Sequence, residues 1–250
     1  MDLDDFLNQA PLEDLDLSAT LAIFCKYRKL SKTIMMTLRN YFRERDIMCK
    51  RMLDIGCGYG YLTSVIGKYL AFEDIHGIDI DDSRIHIAKK RGINVHKINV
   101  ARDSFPFPDN NFSLITSFGV LEHLNYMDNV IKEAYRCLEP KGVFLISTPN
   151  LGSWINRLLL LFGYQPRDVE ISNKFIVGVH KYYGNIRPVG HVHPPTLKGI
   201  KELLIMYRFT ILRIWGTRTT YQPNIIFKLI DSILANKASL ATRFFIMAEK

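Results

Sequence analysis

No stretch of this sequence stays apolar long enough to cross a bilayer, which takes about 20 residues. The most apolar segment runs only from Trp154 to Phe162 and is interrupted by Asn156 and Arg157. Cysteine is scarce. Cys25, Cys49, Cys57 and Cys137 stand far apart, and no C-x-x-C pair is present to hold zinc or to cycle between dithiol and disulfide. Such a set suits a reducing compartment. The opening MDLDDFLNQAPLEDLDL is acidic and lacks the basic start and apolar core of a secretory signal. The expectation is a cytoplasmic protein with no transmembrane segment.

With 48% hydrophobic and 23% charged residues, the 250-residue chain has a globular composition and is long enough to bury a real core. Its net charge of +8 admits three classes of partner: nucleic acid, an anionic membrane surface, or an anionic small substrate. The basic residues are dispersed. The densest runs, Lys26 to Lys29 and Lys89 to Arg91, fall in expected helices and read as solvated faces, not as the sharp stripe of a sequence-independent nucleic-acid binder. A peripheral contact with a membrane stays open, and nothing sets the oligomeric state.

Ser18 can cap a helix on which Leu21, Phe24, Leu30, Ile34, Leu38 and Phe42 recur near helical spacing. From residue 51 the rhythm changes to short apolar runs alternating with helical segments, the pattern of a parallel sheet flanked by helices. Strands are expected at Arg51–Ile55, Ile75–Asp79, Val95–Val100, Phe112–Ser117 and Gly142–Ser147, and helices at Tyr61–Leu70, Ser83–Arg91 and Tyr126–Leu138. Pro149 and Asn150 close the fifth strand. Leu151–Pro195 then breaks the alternation with a short apolar helix and a loop rich in Gly, Pro and His, where an insertion belongs. A helix at Thr196–Tyr207, a strand at Phe209–Trp215, a helix at Asn224–Leu234 and a last strand at Thr242–Met247 follow.

The most specific motif is Leu53-Asp54-Ile55-Gly56-Cys57-Gly58-Tyr59-Gly60, which leaves a strand and enters a helix through three alternating glycines. Glycine there permits unusual backbone angles and lets the main chain approach a ligand, while the helix start offers free N–H groups to a carboxylate or phosphate. A dinucleotide fingerprint would place its third glycine at position 61, where this chain has Tyr61. That argues against a nicotinamide-dependent oxidoreductase. About 20 residues on, the second strand ends in Asp79, whose carboxylate can accept hydrogen bonds from a ribose diol. Asp81 and Asp82 read as the start of the next helix.

Taken in order, LDIGCGYG, GIDI, FPFPDNNF, SFGVLEHL and LEPKGVFLISTPN resemble the class I S-adenosylmethionine-dependent methyltransferases over roughly residues 50 to 150, within the branch that contains ubiquinone and menaquinone biosynthesis methyltransferases. The resemblance implies an α/β fold: a Rossmann-like three-layer αβα sandwich with a seven-stranded, mostly parallel sheet and an antiparallel last strand. Residues 1–50 would form an N-terminal helical cap, 51–150 the S-adenosylmethionine-binding core, 151–195 a lid or acceptor-binding insertion, and 196–250 the completion of the sheet. It also implies that Gly56, Cys57, Gly58 and Gly60 line the methionine part of the cofactor and that Asp54 helps hold its amino group. Asp79 would take the ribose hydroxyls and Ile80 would pack on adenine. Where the branch often has Asp near the adenine amino group, this chain offers Asn99, which keeps an acceptor oxygen, with Val100 supplying a backbone N–H. Phe118 and Gly119 would sit beside the sulfonium.

Methyl transfer from a sulfonium is an in-line displacement that rests on alignment and, for some acceptors, on a proton acceptor. Glu122 and His123, expected on the helix after the fourth strand, can orient or deprotonate an acceptor, or can anchor that helix. His180, His191 and His193 lie in the insertion. His191 is the best candidate for an acceptor contact because it matches the branch's recurring Gly-His, and no metal is expected despite the His-x-His pair. Tyr182 and Tyr183 read as a cover over an acceptor or as packing. Trp154–Phe162 reads as a lid helix or a dimer contact. The sequence has neither the Asn-Pro-Pro-Tyr loop that grips a flipped base nor a Pro-Cys nucleophile, which argues against nucleic acid. The expected function is methylation of a small-molecule acceptor at oxygen, carbon or nitrogen. RNA modification and a cofactor-binding protein without turnover remain the alternatives.

Overall fold

The structure, a computed structural model, describes residues 28–180, 187–219 and 224–250. Ser18, Leu21, Phe24, Cys25, Lys26, Tyr182 and Tyr183, singled out above, lie outside these residues. The described elements run α1 (Arg28–Glu44), β1 (Arg51–Ile55), α2 (Tyr61–Leu70), β2 (Asp74–Asp79), α3 (Asp82–Lys90), β3 (Asn94–Lys97), β4 (Phe112–Phe118), α4 (Asp128–Cys137) and β5 (Leu138–Pro149). They continue with α5 (Trp154–Leu161), α6 (Leu197–Met206), β6 (Thr210–Thr217), α7 (Ile225–Leu234) and β7 (Arg243–Glu249). The seven strands form one sheet in the order β3-β2-β1-β4-β5-β7-β6. It is the Rossmann-like sheet that was expected, six strands parallel and the last antiparallel. Among the described residues, no helix is long and apolar enough to cross a membrane.

The chain divides into two compact units, one of Met1–Phe118, Asn129–Leu145 and Glu249–Lys250, the other of Gly119–Asp128 and Ile146–Ala248. In the first, β1 pairs in parallel with both β2 and β4, in the register Leu53 to His76 and Leu53 to Ile115. Every residue of β4 is buried, as a strand covered on both faces requires. The order of strands reverses between β1 and β4, and such a reversal opens a crevice beyond the carboxyl ends of the two strands, where ligands bind in open α/β sheets. Helix α1 buries Ile34, Met35, Leu38, Tyr41 and Phe42 along one side, in keeping with its apolar spacing. Asp81 caps α3 by accepting from the Ser83 and Arg84 N–H groups, and Asp82 follows in the first turn.

Three elements depart from expectation. β3 stops at Lys97: Ile98 makes a last ladder bond by donating to the Asp79 carbonyl, and Asn99 then begins a turn by accepting the Arg102 and Asp103 N–H groups. β5 starts at Leu138 instead of Gly142, since Lys141 and Gly142 exchange main-chain hydrogen bonds with Lys250 and carry the ladder backwards. Glu122 and His123 lie not on a helix but on a 3₁₀ turn, Leu121–His123, and α4 begins only at Asp128. The Glu122 carbonyl that would continue a helix is taken by the Val192 and His193 N–H groups, each at 3.0 Å.

The second unit is gathered around Asn150, which is almost fully buried. Its amide donates to the Ala241 carbonyl at 2.8 Å and the Ser239 carbonyl at 3.2 Å, and its oxygen accepts the Gly152 N–H at 2.9 Å. One side chain thus satisfies groups from two segments about 90 residues apart. Asn150→Ala should lower stability by about 1–3 kcal/mol by leaving these groups unpaired. Asn150→Asp should cost more, because it sets a carboxylate against carbonyl oxygens. Urea unfolding reads both, and an Asp variant as stable as wild type would refute the arrangement.

Candidate functional site

β1 passes into α2 through Gly56, Gly58 and Gly60, whose φ angles of 71°, 54° and 75° lie in the left-handed region that favours glycine. Their surroundings differ. A Cβ on Gly58 would meet nothing within 4 Å, so the turn borders open space there. A Cβ on Gly60 would lie 2.5 Å from Ile93 Cδ1 and 3.0 Å from Ala88 Cβ, so this glycine lets the turn pack on α3 and the segment after it. The Cys57 side chain is buried with Ile85, Ala88, Ile93 and Val95, and burial pushes its thiol far above the usual range. A Cβ on Gly77 would fall 2.6 Å from Cys57 Sγ, so β2 must carry glycine opposite the turn. No side chain caps α2.

Asp79, at the end of β2, is largely buried and organises this turn. Its Oδ2 accepts the Gly58 N–H at 2.8 Å, and its Oδ1 accepts the Ile80 and Asp81 N–H groups at 2.8 and 3.0 Å. A carboxylate has about four lone-pair directions, so roughly one remains, on Oδ2. Ile80 beside it is 59% exposed, unusual for isoleucine. Asn99 spends its side-chain oxygen on the Ala101 N–H at 3.1 Å, within its own turn. Asp103, not singled out in the sequence, accepts the Asn99 N–H at 2.9 Å. Asn129 of α4 holds the same loop through the Val100 and Asp103 carbonyls, at 2.9 and 3.0 Å. Phe118, the last residue of β4, is buried.

A second cluster lies wholly within the other unit. Gly119, at φ 70°, donates to the Ser147 carbonyl at 3.0 Å. Glu122 is fully buried, and Arg243 NH2 donates to its Oε1 at 3.3 Å while NH1 donates to Ser147 Oγ at 3.3 Å. His191 Nε2 lies 3.9 Å from the same Oε1, and His191 Nδ1 lies 3.9 Å from Asp168 Oδ1. The His123 and His191 rings are 4.8 Å apart, and His123 Nδ1 shares a hydrogen bond with the Gly190 carbonyl at 2.9 Å. Burial pulls the His191 pKa below its ordinary value against the pull of Glu122 and Asp168, so the ring is neutral at physiological pH. Glu122 Oε2 and His191 Nδ1 are buried without a hydrogen-bond partner, as atoms kept for a polar ligand would be.

The insertion is fastened to this cluster by Glu170, whose carboxylate accepts the Val189 and Gly190 N–H groups, at 2.9 and 2.7 Å to the nearer oxygen in each case. His191 lines a shallow cleft of about 70 Å³, open to solvent, walled also by Asp168, Glu170, Ile171, Phe175 and Val177. His193 is turned elsewhere, sharing a hydrogen bond with the Asn125 carbonyl at 2.9 Å, and His180 stacks edge-on against Tyr164 at 5.0 Å. Among the described residues, the metal-ligating types that converge are Glu122, His123 and His191, with donor atoms within 4.8 Å of one another. Arg243 already supplies the positive charge beside that carboxylate.

Residues 27–213 match the model of a family described as a methyltransferase domain. The chain belongs to this methyltransferase family. It is 31% identical over 121 residues to a protein of Mycolicibacterium smegmatis named "Probable S-adenosylmethionine-dependent methyltransferase", covering 44% of this chain and 46% of that one. It is 28% identical over 144 residues to a ubiquinone biosynthesis O-methyltransferase of Coxiella burnetii, covering 56% of this chain and 58% of that one. The chain thus spans about half the length of these curated relatives. An S-adenosylmethionine-dependent methyltransferase structure from Archaeoglobus fulgidus shares the fold, with a TM-score of 0.58 at 18% identity over 93% of this chain and all of that one.

One buried acid of the first unit is held by hydroxyls. Asp54 accepts hydrogen bonds from Thr63 and Thr116, and burial raises its carboxyl to about 6, against the lowering effect of those two hydroxyls. An acid whose folded pKa exceeds its unfolded value of 3.8 favours folding fully below that value and loses the contribution as pH rises through about 6. Asp54→Asn removes the charge and should therefore gain stability over wild type between pH 4 and 7, by about 3 kcal/mol, since each tenfold rise in proton affinity corresponds to about 1.4 kcal/mol. Thermal unfolding at several pH values tests this, and a constant gap between the two proteins would refute it.

Proposed function

We propose that the chain binds S-adenosylmethionine at the glycine turn and transfers its methyl group, by in-line displacement, to an oxygen, carbon or nitrogen of a small-molecule acceptor. The observation that carries this reading is the turn itself. Open space at Gly58, an α2 start that no side chain caps, and the remaining lone pair of Asp79 together fit a cofactor with an amino-acid end and a ribose. When bound, the cofactor supplies an electrophilic methyl group.

In this proposal the backbones of Gly56, Cys57, Gly58 and Gly60 meet the amino-acid end, and Asp54 lends it negative charge. Asp79 accepts from a ribose hydroxyl, Ile80 covers the adenine, and Asn99 and Val100 meet its edge. Phe118 and Gly119 close the end of β4 against water. On the acceptor side, neutral His191 takes a proton from an acceptor O–H or N–H. Glu122 and His123 orient it, with Arg243 holding Glu122 in place. The apolar cleft walls Ile171, Phe175 and Val177 favour an acceptor with a hydrocarbon part. Residues 151–195 serve as the acceptor-side lid, 1–50 as a cap, 51–150 as the cofactor core and 196–250 as the completion of the sheet. A cytoplasmic location suits the scattered cysteines.

Asp79→Ala should weaken S-adenosylmethionine binding about 10- to 150-fold, the worth of one charge-assisted hydrogen bond of roughly 1.5–3 kcal/mol. Asp79→Asn should not restore it, since an NH₂ would face either Gly58 or the Ile80 and Asp81 pair. Asp82→Ala, at an exposed residue paired with Lys97, should stay within about twofold. Calorimetry on variants verified as folded decides. Wild-type affinity for Asp79→Ala would remove the ribose from this position.

Methyl transfer should persist in excess chelator, because the guanidinium of Arg243 occupies the electrostatic place a cation would take. Activity that EDTA abolishes and a divalent ion restores would reassign Glu122, His123 and His191 as ligands.

A further inference from the structure

The charge of +8 is not spread over the whole chain. The second unit holds thirteen Lys and Arg against six Asp and Glu, so seven of the eight surplus positive charges lie in it. The same unit exposes two apolar helices. On α5 and just after it, Leu158, Leu160, Leu161 and Phe162 face solvent, the last two at 75% and 72% exposure. On α7, Ile225, Ile226, Leu229, Ile230 and Ile233 form one stripe at helical spacing, with Ile226 at 66% and Ile233 at 71%. Scattered exposed apolar side chains are ordinary, but nine concentrated on two helices mark an interaction surface.

The helices are joined. The Trp154 indole N–H, at the start of α5, donates to Asp231 of α7 at 2.9 Å, and its ring lies 5.1 Å from that of Phe227. Asp231 also accepts the Thr219 N–H at 2.9 Å and is fully buried. It is the one acidic residue of α7, and α5 has none, so neither helix presents negative charge to solvent. Arg157, Lys228 and Lys237, on or beside these helices, are exposed.

We propose that α5 and α7 dock this protein on an anionic lipid surface, with their aliphatic side chains among the acyl chains and the neighbouring Lys and Arg at the headgroups. Apolar helix faces edged by basic residues bind membrane interfaces through buried apolar area plus attraction to anionic lipid. A second copy of the chain is the poorer occupant, since it would bring two surplus-positive units together. The contact is peripheral, because none of the described helices is built to span a bilayer.

Vesicle flotation of the full chain tests the proposal, with phosphatidylcholine alone or mixed with phosphatidylglycerol. The protein should float with the mixed vesicles, less at high salt, and only weakly with the neutral ones. Leu161→Glu with Phe162→Glu, and separately Ile226→Glu with Leu229→Glu, should each lower partitioning about tenfold or more with circular dichroism unchanged, and the second pair, outside the proposed lid, should also leave S-adenosylmethionine affinity unchanged. Met36→Glu, at an exposed methionine of the other unit, should bind vesicles as wild type does. Failure to float with the mixed vesicles would overturn the proposal, as would undiminished flotation of both glutamate pairs. A dimer in sedimentation that the glutamate pairs dissolve, without vesicle binding, would also overturn it and make the face a contact between copies.

Discussion

The first unit depends on one carboxylate that must accept three backbone N–H groups at once. Asp79 joins the glycine turn after β1 to the end of β2 and the entry to α3, and the bonds are satisfied only if Gly58 holds a left-handed conformation. The glycine spacing, the acid at the strand end and the cap at Asp81 are therefore parts of one arrangement. Gly60 and Gly77 belong to it as well, since a Cβ at either would crowd the packing of the turn on α3 or on β2.

This explains which parts were legible in the sequence. Three glycines in five residues and an acid 21 positions after Gly58 are local signatures, because backbone geometry demands those types at those intervals. The strands of the first unit could be read for a similar reason: each is a short apolar run between turn residues. Gly77 stayed silent because its role appears only once Cys57 is known to lie over it. Arg243 was hidden more deeply, 121 residues from the Glu122 it pairs with, and its only trace is a lone charge at the head of an apolar strand. Glu122 itself was recognised but assigned to a helix, because no local pattern shows that residues 192 and 193 take its carbonyl. Asp168 and Glu170 sit in irregular chain, where no periodicity points to them.

The two units treat a buried carboxylate in opposite ways. Glu122 is given a guanidinium, with Arg243 3.3 Å from its Oε1. Asp54 is given two hydroxyls, which stabilise the anion less, so its affinity for a proton rises. A positively charged group brought near Asp54 would meet an acid whose charge is still poorly compensated, whereas one brought near Glu122 would meet a pair already neutralised.

Cys57 stands in the turn that, on the proposed reading, receives an alkylating cofactor. A thiolate is among the best acceptors of an electrophilic methyl group, far better than most hydroxyls, and an ionised sulfur here would invite the protein to modify itself. Enclosure by Ile85, Ala88, Ile93 and Val95 prevents ionisation at any physiological pH. The packing that lets the turn sit close to α3 thereby also makes its sulfur chemically silent, and the catalyst is spared inactivation by its own reagent.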